Sequence, residues 1–151
     1  MKPKALFING SPHEEGKTAA IAEELLNGLR FETLALTDYR INFYGQELPG
    51  DQFDEILAKM KEADITVLGS PVYWHNMSGA LRTLLDRFYG PVPTKSMHGD
   101  LYFVFQGFAP EQWMIDDAVY TIKTFCDLYG YNYKGLAQSW ADAHAFNKDI
   151  D

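Results

Sequence analysis

Hydrophobic and polar positions along the chain follow two rhythms. Short runs that are apolar almost throughout, Ala5 to Asn9 (ALFIN), Ile65 to Gly69 (ITVLG) and Leu101 to Phe105 (LYFVF), predict buried strands. Phe31 to Leu36 and Tyr131 to Leu136 are weaker runs of the same kind. Between them apolar residues recur at helical spacing: Ile21, Ala22, Leu25, Leu26 and Leu29, then Phe53, Ile56, Leu57 and Met60. Leu81, Leu84, Leu85 and Phe88 mark a third helix with Ser78 placed to cap it, and Ile115, Ala118, Val119, Ile122, Phe125 and Tyr129 mark a long fourth.

The order βαβαβαβαβ predicts an α/β domain over residues 1–137: a doubly wound five-stranded parallel sheet of order 2-1-3-4-5 with helices on both faces. Residues 138–151, beginning QSWADAHAF, carry no clear helical stripe. Three states remain open for that tail: a short helix, a partner-binding arm or a disordered segment. In a sheet of this order the ligand crevice lies beyond the carboxyl ends of strands 1, 3 and 4. The loops leaving those strands are therefore where chemistry is expected.

The first loop, Gly10-Ser11-Pro12-His13-Glu14-Glu15-Gly16-Lys17-Thr18, ends like an ATP-binding loop. Yet five residues separate Gly10 from Gly16 where the pattern G-x-x-x-x-G-K-[ST] has four. Strand 3 runs into Ser70 and Pro71 and offers no carboxylate for Mg²⁺, while Glu14 and Glu15 would repel a triphosphate. A single phosphate suits the loop better, because the helix start supplies free amides, Ser11 and Thr18 hydroxyls, and Lys17 a charge. Alone, the loop reads better as two turn glycines and a solvated lysine than as a phosphate site.

The second loop, Ser70-Pro71-Val72-Tyr73-Trp74, puts two large aromatics directly after a buried strand, and the third, Gln106-Gly107-Phe108, repeats the pairing of glycine and aromatic. Tyr73 and Trp74 can wall a flat ligand, or Trp74 can pack beneath its own loop or in a subunit interface. A phosphate cradle beside two aromatic loops describes FMN, a mononucleotide with a flat tricyclic ring.

Composition narrows the classes without changing that picture. The chain has 151 residues, 46% hydrophobic and 23% charged, which is ordinary for one globular domain. Lys and Arg total 13 against 21 Asp and Glu, and the net charge of −8 argues against nucleic acid or an acidic membrane as partner. One cysteine, Cys126, leaves no disulfide framework, and its place on the apolar face of the fourth helix predicts an inert thiol. His13, His75, His98 and His144 have no metal-binding spacing. The N-terminus has too short an apolar run for a signal peptide and no segment reaches the length of a membrane span, so a cytoplasmic location is expected.

Two segments together resemble the flavodoxin-like NAD(P)H-dependent FMN reductases and quinone reductases. Phe7-Ile8-Asn9-Gly10-Ser11-Pro12 with Gly16-Lys17-Thr18 looks like that family's phosphate loop, and Gly69-Ser70-Pro71-Val72-Tyr73-Trp74 with Ser78, Leu81, Asp86 and Arg87 is similar to its ring-binding segment. The resemblance implies that Ser11, Gly16, Lys17 and Thr18 hold the FMN phosphate. It implies that Pro71, Val72, Tyr73 and Trp74 contact the isoalloxazine and that Gln106, Gly107 and Phe108 close the third side.

His13 stands where many relatives have Arg and Lys17 where many have Asn, changes that bear on phosphate affinity and on the choice between NADPH and NADH. Asp86 and Arg87 fall to helix packing or an ion pair. Some relatives bind an iron-sulfur cluster through cysteines after strand 2, where this chain has INFYGQELPGDQF and none. An absent last helix would bear on dimer contacts and cofactor retention.

The expected activity is hydride transfer from NAD(P)H through flavin N5 to a small-molecule acceptor, a quinone or another electron-poor ring, by a homodimer. A flavodoxin-like electron carrier and a flavin-free interaction protein are the alternatives.

Overall fold

The computed structural model describes residues 2–150. Five parallel strands, β1 (Ala5–Asn9), β2 (Phe31–Ala35), β3 (Ile65–Pro71), β4 (Asp100–Gln106) and β5 (Asn132–Ala137), form one sheet of order β2-β1-β3-β4-β5. Helices α1 (Lys17–Leu25), α2 (Phe53–Glu62), α3 (Gly79–Arg87), α4 (Gln112–Tyr129) and α5 (Trp140–Asn147) connect and cover it. This is the flavodoxin-like architecture expected from the alternation of the two rhythms.

The strands are apolar throughout because each faces a core on both sides. Leu6, Ile8, Leu68, Phe103 and Phe105 pack with α2, α3 and α4, while Ala5, Phe7, Val67, Tyr102 and Val104 pack with α1 and α5. Phe103 and Phe105 stack with centroids 5.1 Å apart, so successive inward positions of β4 make one continuous wall. Ser78 caps α3 by accepting from the Leu81 amide at 3.2 Å, as its position predicts.

Several boundaries differ from the sequence reading, β4 extending one residue beyond its apolar run at each end and β5 lying one residue later. β2 stops at Ala35, and Leu36 opens a short 3₁₀ turn. β3 continues two residues beyond Gly69: Ser70 and Pro71 pair with Phe105 and Gln106, so they belong to the strand and not to the loop. Of the three states left open for residues 138–151, the short helix is the one observed: Trp140–Asn147 is helical and lies on α1.

Its stripe is too slight to read because polar anchors carry much of the attachment. Ser139 caps the helix, His144 Nδ1 lies 2.7 Å from Glu24 Oε1, and the Asn147 amide donates to the carbonyls of Leu25 and Asn27 at the end of α1. Among the described residues no helix is long and apolar enough to cross a membrane.

Candidate functional site

The loops leaving β1, β3 and β4 meet at the carboxyl end of the sheet, where the strand order reverses between β1 and β3. Their roots are packed too tightly for side chains. A Cβ added at Gly10 would lie 2.8 Å from the carbonyl oxygen of Gly69, which already accepts from the Gly10 amide at 2.8 Å. At Gly107 a Cβ would lie 2.7 Å from Cβ of Val72, whose own amide donates to the Gln106 carbonyl. Val72 is thus a half-buried spacer between the second and third loops, and Pro71 is buried in the strand end.

The first loop is shaped by its own side chains. Asn9 is fully buried; its Oδ1 accepts from the Ser11 amide at 2.9 Å and its Nδ2 donates to the His13 carbonyl at 3.3 Å. The Ser11 hydroxyl oxygen accepts from the His13 amide at 3.1 Å, which leaves the hydroxyl proton free to donate outward. The extended Gly16 precedes α1, and no side chain caps the helix. The first intrahelical bond runs from the Ala20 amide to the Gly16 carbonyl, so the amides of Lys17, Thr18 and Ala19 have no intrahelical acceptor.

Those amides, with the positive end of the helix dipole, make an anion-binding site. Lys17 is exposed as the first helical residue, and His13, Glu14 and Glu15 are exposed around an open cavity of about 680 Å³ over the loop. Thr18 is buried, with its methyl group against Gly69 and its Oγ1 accepting from Gln106 Nε2 at 3.1 Å. The side chain of Gln106 therefore ties the third loop to the first.

Aromatics line the other two loops from the outside. Trp74 is 95% exposed and Phe108 is as exposed as a free side chain, at 103%; Tyr73 is exposed beside them. Tyr73 and Asn76 pair as an antiparallel bridge, with amide-to-carbonyl distances of 2.9 and 3.1 Å, around a two-residue turn. Both turn residues have positive φ, 47° at Trp74 and 67° at His75, the requirement of a type I′ hairpin that Asn-Gly normally meets.

For side chains as large as these the left-handed conformation costs about 1–2 kcal/mol per residue. Ala109, next to Phe108, is also left-handed at φ 45°. Strain of this kind persists only where surrounding contacts enforce it. At the hairpin the enforcing element is α4: the Trp113 ring meets His75 edge to face at 5.6 Å, and Asp117 accepts from Asn76 Nδ2 at 2.7 Å.

The structure brings Ser11, His13, Gly16, Lys17, Thr18, Pro71, Val72, Tyr73, Trp74, Gln106, Gly107 and Phe108 to one end of the sheet. Asn9, Trp113 and Asp117 shape the same region and were not singled out by sequence reasoning. A polar residue closing an apolar strand was a usable signal for Asn9; nothing in the spacing pointed to the α4 pair. Where a Mg²⁺-binding acid would stand is Ser70, buried, its hydroxyl donating to the Pro71 carbonyl and accepting from the Ser78 amide. The larger cavity, about 960 Å³, lies at the opposite end of the sheet among Lys2, Lys4, Asp64, Asp100 and Lys134.

Asp86 pairs with Arg82 on the surface of α3, and Arg87 forms a two-pronged pair with Asp51 at 2.8 Å on each prong. Arg87 also donates to the Asn42 carbonyl and lies over the Phe53 ring, which ties down the long connection between β2 and α2. Its guanidinium holds the Asp51 carboxyl below the ordinary carboxylate range.

Residues 3–120 match the family described as NADPH-dependent FMN reductase. The chain belongs to that family. It is 40% identical over 98 residues to an iron-sulfur flavoprotein of Methanocaldococcus jannaschii, covering 56% of this chain and 51% of that one. A NADPH azoreductase of a Bacillus species is 28% identical over 136 residues, covering 75% and 76%. The chain spans about half the length of the iron-sulfur flavoproteins it matches.

The structure of a NAD(P)H:quinone oxidoreductase from Methanothermobacter marburgensis superposes with a TM-score of 0.74 at 12% identity over 100% of both chains. At that identity the likeness is one of fold. Iron-sulfur chemistry does not carry over to these residues, whose single cysteine, Cys126, is buried in α4.

Proposed function

We propose that the protein is an FMN-dependent oxidoreductase that passes hydride from NAD(P)H to a quinone or another electron-poor small molecule. The observation that carries this reading is the uncapped start of α1, set beside exposed aromatics on strained loops at the strand-order reversal. Family membership supports the same cofactor and the same reductant.

The residues fit an FMN phosphate. The Ser11 and Thr18 hydroxyl oxygens each accept from an internal donor, which leaves each hydroxyl proton available to a phosphate, and Lys17 adds an exposed charge at the helix start. Tyr73, Trp74 and Phe108 offer apolar surface that can cover a flat ring and exclude water from it. FMN supplies the hydride chemistry when bound, and the protein contributes orientation and electrostatics. The reading includes a homodimer working in the cytoplasm, in which a second copy covers the exposed aromatics around the groove; a protein that sediments as a monomer at high concentration would contradict that part.

Titration of the protein with FMN, followed by quenching of flavin fluorescence, tests the phosphate site. Lys17→Glu and Thr18→Val each remove a hydrogen bond to a charged group, worth about 1.5–3 kcal/mol, and should weaken FMN binding roughly 10- to 100-fold. Binding of riboflavin, which lacks the phosphate, should be insensitive to Lys17→Glu, whose side chain is exposed at the helix start. Unchanged FMN affinity would place the phosphate elsewhere.

A further inference from the structure

The Tyr73–Asn76 hairpin has only two backbone hydrogen bonds of its own, and both turn residues are left-handed without being glycine. A free Trp-His turn would relax out of that conformation. What opposes relaxation comes from the first turns of α4. Trp113 and Asp117 are four residues apart, hence on one helix face, and both reach the hairpin.

The Trp113 ring is itself oriented by its Nε1 donating to Glu111 Oε2 at 2.6 Å. Asp117 acts through the Asn76 amide, whose Nδ2 donates to the carboxylate while its Oδ1 accepts from the Met77 amide at 2.8 Å. One side chain on α4 thereby grips the hairpin where it returns to the buried Met77 and Ser78.

We infer that Asp117 is a positioning residue for the ring site: by holding Asn76 it keeps the Trp74–His75 turn left-handed, so that the aromatic wall stands preformed before the flavin arrives. The inference rests on the FMN reading for its ligand, but the latch itself is a property of the protein without ligand. When the hairpin is released, only a fraction of molecules presents the competent wall, and the apparent dissociation constant rises by the inverse of that fraction.

Two measurements on Asp117→Ala, Asn76→Ala and the double variant decide the matter, with Asp116→Ala as the control. Among the described residues the Asp116 side chain accepts only from Gln112, at the helix surface, and does not bond to the hairpin. In the ligand-free protein, hydrogen exchange of the Tyr73 and Asn76 amides should accelerate at least about tenfold in Asp117→Ala and not in the control. FMN affinity should fall about five- to tenfold in each single variant and no further in the double, the signature of one shared interaction.

Retained protection of both amides in Asp117→Ala would overturn the latch. Faster exchange with unchanged FMN affinity, or losses that multiply in the double variant, would overturn the positioning role. A wild-type protein that binds no FMN would overturn the ligand reading, and amide exchange would still decide the latch.

Discussion

Replacing Gly10 with alanine tests whether the first and second loops are joined as closely as the structure shows. The added methyl would sit 2.8 Å from the Gly69 carbonyl oxygen, 3.0 Å from Ser78 Oγ and 3.1 Å from Leu81 Cβ. Ser78 Oγ can rotate only by giving up the α3 cap, and the carbonyl belongs to β3, so relief requires β1 and β3 to part at their ends.

Parting them strains or breaks the bond from the Gly10 amide to Gly69, worth about 0.5–1.5 kcal/mol, and adds an overpacking cost of about 1–3 kcal/mol. The sum, about 3 kcal/mol, corresponds to a fall in Tm of roughly 6–12 °C for a domain of this size. Urea denaturation and thermal scans should report it. FMN affinity should fall with it, because the same displacement moves Ser11 and the start of α1.

Gly79→Ala is the matched control: it opens α3, and a Cβ there has nothing within 4 Å. That change should be neutral or stabilising by up to about 1 kcal/mol. A Gly10→Ala protein within about 0.5 kcal/mol of wild type would refute the close approach of the two strand ends.

Arg87→Ala should destabilise by about 1–2 kcal/mol at neutral pH, since it strands a partly exposed carboxylate and the Asn42 carbonyl. Because Asp51 has a lowered pKa when folded, its share of stability is present above the unfolded value near 3.8 and is lost as pH falls through the lower folded value. The difference between wild type and Arg87→Ala in denaturation midpoints should therefore shrink below about pH 4; a constant difference would contradict the ion pair. Cys126 is fully buried, and burial pushes its thiol up to about 12. It should resist a thiol reagent at pH 8 in the native protein and react at once in denaturant; rapid native labelling would show that α4 opens.

The sheet order was legible because its strands, buried on both faces, read as unbroken apolar runs and its helices as stripes. The candidate site was legible to the extent that topology dictates which loops converge: Gly10 to Thr18, Pro71 to Trp74 and Gln106 to Phe108 were placed together without any distance being known.

What escaped was held by contacts that leave no period. Helix α5 is fastened by His144 to Glu24 and by Asn147 to the end of α1, partners about 120 residues away in sequence. Ser70 and Pro71 extend β3 because the β4 backbone opposite them is in register, although Pro71 itself signals a turn. Trp113 and Asp117 lie on the outward side of α4, where polar and aromatic residues ordinarily mean solvent, and 41 residues separate Asn76 from Asp117.

The proposed function requires that this groove bind FMN and let a reduced nicotinamide and then an acceptor reach it. The direct measurement is an anaerobic titration of the FMN-loaded protein with NADPH and NADH, followed by addition of a quinone, with the visible flavin absorbance recorded throughout. A reduced nicotinamide should bleach the bound flavin, and one equivalent of quinone should restore the colour. A protein that retains bound FMN but keeps its colour with both nicotinamides would contradict the proposed function.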